Sequence, residues 1–170
     1  MPATHPRTFD TFLVAPNNRF ARTAALAVAE VPARTYDPLW VWAAKPVGKT
    51  HLLRAIEDYT RRIHTDMAVQ YLGAAELARY PDLVAPSVLL IDDLDEPAVD
   101  LAAVRELLAE RVAAGRQTVL TSRAYPKTMP VVEQFVCGRG LICDIGPTED
   151  GAGGDRDDAP TAPNSGYPQA

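Results

Sequence analysis

One run of residues, 39–53, constrains the fold of this chain more than any other. Its sequence, LWVWAAKPVGKTHLL, reads as an apolar strand, a tight loop and the start of a helix. This is the order of a phosphate-binding loop, whose full pattern is G-x-x-x-x-G-K-[ST]. Gly48, Lys49 and Thr50 complete the second half of that pattern. Such a loop holds a polyphosphate with backbone N–H groups, a helix N-terminus, a lysine ammonium and a hydroxyl that binds Mg²⁺. We therefore predict a nucleotide-phosphate site here.

The first half of the loop departs from the pattern at two positions. Ala43 stands where the first glycine belongs, and it restricts dihedrals that glycine would tolerate. Pro46 removes one backbone N–H from the loop. A chance Gly-Lys-Thr at a helix start is the alternative. The preceding strand, the following helix and an acidic strand end downstream favour the phosphate loop.

The acidic strand end is formed by Asp92 and Asp93, which follow the apolar run 88–91. Four consecutive apolar residues indicate a strand buried on both faces, as in a parallel sheet. Ligands of open α/β sheets bind at the carboxyl ends of the strands. We expect Asp92 to hold Mg²⁺ together with Thr50, and Asp93 to polarise an attacking water as the catalytic residue. The alternative is a pair of aspartates that opens a surface turn.

Strand-like and helix-like segments alternate along the chain. We predict helices over about 19–30, capped by Asn17 or Asn18, and about 49–65, and a third between Asp100 and Gly115. The predicted strands are 39–42, 67–72, 88–91, 117–121 and 141–145. This alternation favours an α/β fold with a mainly parallel sheet and helices on both faces.

Composition and charge separate a body from a tail. We expect one globular domain over 1–147 and a disordered tail over 148–170, which is rich in Gly, Pro and Asp. Residues 149–170 carry a net charge of −4 out of −5 for the chain, so no basic field attracts DNA. Two cysteines, no apolar run of membrane-span length and no signal-peptide core lead us to expect a cytoplasmic protein without membrane contact.

Several segments, in this order, resemble the DnaA/Hda family of bacterial replication initiators and their regulators. They are residues 8–21, 24–30, 48–53, 89–93, 120–122 and 125–127, and the loop 41–44 is closest to Hda. The resemblance covers about residues 8–146. It implies a three-layer AAA+ P-loop NTPase core with a five-stranded parallel sheet in the order 5-1-4-3-2, which binds ATP or ADP with Mg²⁺.

The resemblance also implies the set of residues that contacts the nucleotide. That set is Asn17, Asn18, Phe20, Ala44, Lys45, Val47, Gly48, Lys49, Thr50, His51 and Ser122. Asn17, Asn18 and Phe20 match the stretch that lies near adenine in the family. The alternatives are that Phe20 only fastens the first helix to the core and that His51 is a packed helix-start histidine.

Five departures from the family lower the expected activity. The interval before the third strand is too short for the helix pair that grips single-stranded DNA. Ser122 is followed by Arg123 where the family has an acid, and Arg139 is displaced from the place of the arginine finger. We also expect no α-helical lid and no DNA-reading domain. Weak nucleotide binding, negligible hydrolysis by the isolated chain and no sequence-specific DNA binding are therefore predicted.

Three functions remain open at this point. The first is an ATP- or ADP-binding accessory or regulator of chromosomal replication initiation, acting by contact with full-length DnaA or other AAA+ subunits. The second is an active ATPase completed by an arginine from a partner. The third is an interaction module that no longer binds nucleotide. The partial phosphate loop favours the first.

Overall fold

The computed structural model describes residues 6–146; the predicted tail, 148–170, lies outside them. Helices and strands alternate through these residues. The α-helices are α1 (Arg19–Glu30), α2 (Lys49–Ile63), α3 (Leu101–Ala113) and α4 (Pro130–Cys137). The strands are β1 (Leu39–Trp42), β2 (Val69–Gly73), β3 (Val88–Asp92), β4 (Gln117–Ser122) and β5 (Leu141–Asp144). Short 3₁₀ helices span Ala74–Arg79 and Pro126–Thr128.

The five strands form one parallel sheet in the order β2-β3-β4-β1-β5, which confirms the expected order. Every residue of β3 and of β4 is buried. Strands buried along their whole length are typical of parallel sheets covered on both faces. All five carboxyl ends consequently lie at the same edge of the sheet, where β1 leads into the phosphate loop.

Two hydrophobic clusters lie on the two faces of the sheet. One joins α1 and α2 to the face that carries Leu39 and Val41. The other joins α3 and α4 to the opposite face, which carries Trp40. This alternation along β1 follows from the two-residue side-chain period of a strand. In residues 6–146 no helix has the length and apolarity to cross a bilayer.

The first helix differs from the prediction in its buried face. Its buried residues are Ala21, Ala24, Ala25, Val28 and Ala29. Phe20 is 60% exposed, so the alternative in which it fastens this helix to the core is wrong. Asn18 precedes the helix but does not cap it through its side chain. Its amide instead accepts from the N–H of Ala15 at 2.8 Å and donates to the carbonyl of Leu13 at 2.9 Å, so it fixes the preceding turn.

The third helix begins as predicted, because the carboxylate of Asp100 accepts from the N–H groups of the first turn. Its buried face, however, includes Arg111, which is fully buried. The guanidinium donates to the hydroxyl of Thr118 at 2.8 Å and to the carbonyl of Gln117 at 2.7 Å. It also donates to the carbonyls of Leu83, Val84 and Pro86, at 2.6, 3.2 and 3.1 Å. This Arg111 cluster ties the segment before β3 to the start of β4.

Candidate nucleotide site

The loop between β1 and α2 has a backbone conformation that tolerates alanine at position 43, where the phosphate-loop pattern has glycine. Ala43 is buried, lies outside the positive-φ region and donates its N–H to the carbonyl of Ser122 at 3.1 Å. Gly48 carries the positive φ, +101°, at the start of α2. The positive φ favours glycine, and a Cβ at this position would lie 3.0 Å from the ring of Phe12, which would have to shift by a few tenths of an ångström. The alanine at position 43 is therefore compatible with the loop.

The start of α2 presents free backbone donors. Among residues 6–146, the N–H groups of Lys49, Thr50 and His51 donate to no acceptor. Unpaired N–H groups and the helix dipole together favour an anion at this place. The N–H of Val47 donates to the carbonyl of Lys45 at 2.9 Å, and Pro46 has no N–H. The middle of the loop thus offers fewer donors than the helix start.

Lys49 lies inside the loop and is buried. Its ammonium donates to the carbonyl of Ala43 at 2.7 Å and to that of Lys45 at 3.1 Å. Burial lowers the pKa of Lys49, and the charges of Asp93 and Asp92 oppose this effect. The ammonium is thus held by two carbonyls of the loop, within range of the charges of Asp93 and Asp92.

The carboxylate of Asp92, which is buried, accepts three hydroxyl hydrogen bonds at the end of β3. Thr50 and Tyr71 donate to its Oδ2, each at 2.7 Å. Thr121, at the end of β4, donates to its Oδ1. We call these four residues the Asp92 cluster. Burial and the hydrogen bond to Asp92 raise the pKa of Tyr71, so the phenol stays protonated and remains a donor.

The Asp92 cluster fits Mg²⁺ by the chemistry of its donors. A carboxylate and a threonine hydroxyl are the oxygen ligands that Mg²⁺ prefers, and this ion keeps several waters and binds substrate phosphates. A cage of protein ligands is therefore not needed. Within residues 6–146 no group of three or more His, Cys, Asp and Glu residues gathers in a metal-binding arrangement. Thr50 and Asp92 would hold the ion beside the helix start.

Asp93 follows in a left-handed backbone conformation, with a φ of +56°. Its N–H donates to the hydroxyl of Thr121 at 3.1 Å, which fixes the turn. Burial and the adjacent charge of Asp92 raise the pKa of Asp93, whereas Arg123 lowers it. Left-handed φ values at residues other than glycine are uncommon and concentrate at functional sites. A catalytic role of this carboxylate stays a prediction.

The N-terminal segment packs on the start of α2. Nε2 of His51 donates to the carbonyl of Thr8 at 2.8 Å, and the ring of Phe12 meets the imidazole edge to face at 5.3 Å. His51 thus contacts the protein, as the packed alternative predicted. Asn17 donates its amide to the carbonyl of Gly146, and its Oδ1 is buried without a partner in the described residues.

A small cavity of about 200 Å³ lies between the loop and the end of β5. It is lined by Trp42, Ala44, Lys45, Asp144, Ile145 and Gly146.

Two of the predicted residues have other surroundings. The hydroxyl of Ser122 accepts from the indole N–H of Trp40 and donates to the carbonyl of Ala124, both at 2.9 Å. It is thus engaged within the protein. Phe20 lies exposed on α1. The role of either residue in nucleotide binding stays a prediction.

Three polar residues at the site went unpredicted. Tyr71 and Thr121 lie near the carboxyl ends of β2 and β4 and reach Asp92. Asp95 accepts from the N–H groups of Arg123 and Ala124, at 2.8 and 3.2 Å. It places an acid beside the end of β4, where the sequence motif lacks one. All three residues lie near the carboxyl ends of predicted strands. This position could have identified them as site residues, because those strand ends share one edge of the sheet.

Comparison with known proteins agrees with this architecture. Residues 4–81 match the family model described as the bacterial DnaA ATPase domain. The chromosomal replication initiator protein DnaA of Symbiobacterium thermophilum is 37% identical in an alignment 165 residues long. The aligned part covers 84% of this chain and 35% of that protein. This chain is similar to the ATPase domain of the DnaA family over most of its length.

Solved structures show the same fold for this DnaA-like chain. Domain III of the Thermotoga maritima DnaA superposes with a TM-score of 0.72 at 27% identity, covering 88% of this chain and 70% of that one. The AMPPCP-bound DnaA from Aquifex aeolicus gives a TM-score of 0.68 at 21% identity, covering 83% and 50%. The chain spans about a third of the length of the Symbiobacterium initiator that it matches.

Proposed function

We propose that this DnaA-like domain binds ATP or ADP with Mg²⁺ and acts as an accessory or regulator of replication initiation. It acts by contact with full-length DnaA or other AAA+ subunits, not by turnover of its own. The observation that carries the proposal is the hydrogen bond of 2.7 Å between Thr50 and Asp92, next to a buried Lys49 at a helix start with free N–H groups. The DnaA of Aquifex aeolicus, which shares the fold, was solved with AMPPCP bound.

Each residue has a separate role in this proposal. The ammonium of Lys49 leaves the carbonyls of Ala43 and Lys45 for the phosphates, which also accept from the N–H groups at the start of α2. Thr50 and Asp92 hold the metal, which when bound neutralises phosphate charge. Asp93 orients a water. Asn17, whose Oδ1 has no hydrogen-bond partner among residues 6–146, would accept from the base amino group.

Hydrolysis by the isolated chain is expected to be negligible. The guanidinium of Arg139 lies 5.7 Å from the ring centre of Phe135 at the end of α4, and Arg123 is paired with Asp95 and Glu96. Neither supplies a free cation to the developing charge on the γ-phosphate. Lack of an arginine finger removes about 10³–10⁵-fold in turnover. A partner subunit that supplies such an arginine would raise the rate, which a steady-state assay with and without full-length DnaA would reveal.

A titration with Mg·ATP and Mg·ADP tests the binding proposal. Trp42 lines the cavity beside the loop, so intrinsic fluorescence reports on occupancy. Lys49→Ala should weaken binding about tenfold or more, because a charge-assisted hydrogen bond to phosphate is lost. Arg62→Ala is the matched control, since it removes a positive charge from the other end of the same helix, where Arg62 pairs with Asp58.

Thermal unfolding of both variants shows whether the fold is kept, because Lys49 also binds two loop carbonyls. Equal affinity of wild type and Lys49→Ala would contradict the proposal. Undetectable binding by the wild type would instead support an interaction module that has lost nucleotide binding. A pull-down with the full-length initiator of the host, with and without ATP, tests the partner; no contact in either state would contradict a regulatory role.

A further inference from the structure

Tyr71 joins the edge strand to the buried carboxylate of Asp92. It lies on β2, opposite Leu90 of β3, while Asp92 lies opposite Gly73. The phenol leans along the strand and donates to Oδ2 of Asp92 at 2.7 Å. The contact therefore spans two register positions, and the strand pairing alone does not require it.

The ring of Tyr71 is itself held in place by α2. The guanidinium of Arg54 lies 3.3 Å from the ring centre, in a cation–π arrangement. Arg54 is one helical turn after Thr50, so both residues lie on the same face of α2. Glu57 binds Arg54 at 2.8 Å and Arg61 at 2.9 Å, which fixes the guanidinium over the ring.

The hydrogen-bond capacity of Asp92 shows what the contact does. A carboxylate has about four lone-pair sites for donors. Thr50, Tyr71 and Thr121 occupy three of them. The carboxylate thus cannot rotate without breaking a buried hydrogen bond, and one acceptor site is left.

We propose that Tyr71 is a positioning residue for the metal: its hydroxyl fixes the carboxylate of Asp92 so that the remaining acceptor site serves Mg²⁺. Arg54 holds the ring of Tyr71 in the required place. This inference rests on the proposed function, since it concerns the same nucleotide site. It adds a contact from β2 and α2 that lies outside the phosphate loop.

The experiment compares ATP affinity in excess Mg²⁺ with ATP affinity in EDTA, and the ratio of the two is the readout. Tyr71→Phe keeps the ring beneath Arg54 and removes only the hydroxyl. The ratio should fall about tenfold, as is typical when an outer contact to a metal ligand is lost. Affinity in EDTA should not change. Tyr59→Phe is the matched control, because its hydroxyl reaches only Glu30, at 3.4 Å, and lies away from Asp92.

Arg54→Met provides a second variant, which keeps the long side chain but removes the guanidinium over the ring. It should lower the same ratio by a smaller factor. An unchanged or higher ratio in Tyr71→Phe overturns the inference and leaves the proposed function intact. Equal losses with Mg²⁺ and with EDTA also overturn it, because they indicate a general structural role. Absence of nucleotide binding by the wild type refutes the proposed function and this inference together.

Discussion

Two buried polar clusters lie at opposite ends of the same two strands. The Arg111 cluster joins the amino ends of β3 and β4, and the Asp92 cluster joins their carboxyl ends. Both bring a buried charged group against the ends of these two strands. They differ in what surrounds the charge. Arg111 is met mainly by backbone carbonyls, whereas Asp92 is met by side-chain hydroxyls from three separate elements.

This difference separates a closed cluster from an open one. The guanidinium of Arg111 makes five hydrogen bonds within the protein: one from Nε, three shared by the two N–H groups of Nη1, and one from Nη2. Burial lowers the pKa of Arg111 to about 10, and the charge of Asp37 partly offsets this. Asp92 keeps acceptor capacity and borders free N–H groups. One end of the strands thus serves the fold, and under the proposed function the other end serves a ligand.

The largest effect is expected for Arg111→Met. The variant leaves buried carbonyls before β3 and at the start of β4 without their donor, which should cost about 3–5 kcal/mol in the free energy of unfolding. Urea unfolding followed by circular dichroism measures this. Arg105→Met, on the exposed face of the same helix, should change the free energy by less than about 1 kcal/mol. If the Arg111→Met protein were as stable as the wild type, the Arg111 cluster would not be the one that holds the fold together.

An intermediate effect is expected when one threonine of each cluster is replaced by its near-isostere. Thr118→Val and Thr121→Val, both at fully buried positions of β4, should each cost about 1–3 kcal/mol, because each leaves a buried polar partner unpaired. Only Thr121→Val should also lower the dependence of ATP affinity on Mg²⁺. Titrations in Mg²⁺ and EDTA separate the two variants. An equal loss of the Mg²⁺ effect in Thr118→Val would remove the distinction.

The smallest effect, of opposite sign, is expected for Asp93→Asn. The pKa of Asp93 is raised above 3.8 in the folded protein, which therefore binds more protons than the unfolded one between these two pKa values, and stability falls as the pH rises through that window. Asparagine removes this cost and tolerates a φ of +56°. The melting temperature should therefore rise slightly at pH 7, with a gain that shrinks towards pH 4. A loss of stability at pH 7 would show that this carboxylate contributes to the fold.

The sequence was sufficient for the elements whose burial pattern is local. Strands β1 and β3 and the start of α3 followed from apolar runs and from a capping aspartate, and the order of the sheet followed from the resemblance. Helix α4 was not predicted, because it is short, begins at a proline and depends on packing of Val132 and Val136. Packing against other elements is not visible in a single short segment.

The site was predicted only where its residues share a motif. Lys49, Thr50 and Asp92 come from two sequence patterns, and the structure brings them together as expected of a sheet edge. Tyr71 and Thr121 were missed because their reach to Asp92 depends on strand register and side-chain direction. Arg111 was missed because an arginine on a helix usually lies in solvent. In each case the decisive contact joins residues distant in sequence.

The packing of the Phe12 ring on Gly48 is one reason why the Gly-Lys-Thr motif can be conserved during evolution. A side chain at position 48 would press on that ring and strain the backbone, so folding as well as nucleotide binding favours the glycine. Lys49, through two loop carbonyls, and Thr50, through Asp92, are retained for similar reasons. A descendant that had stopped using nucleotide would therefore still carry Gly-Lys-Thr for many generations. Descendants that bind nucleotide are better distinguished from those that do not by substitutions at positions that do not stabilise the fold, such as the exposed Ala44 and Lys45.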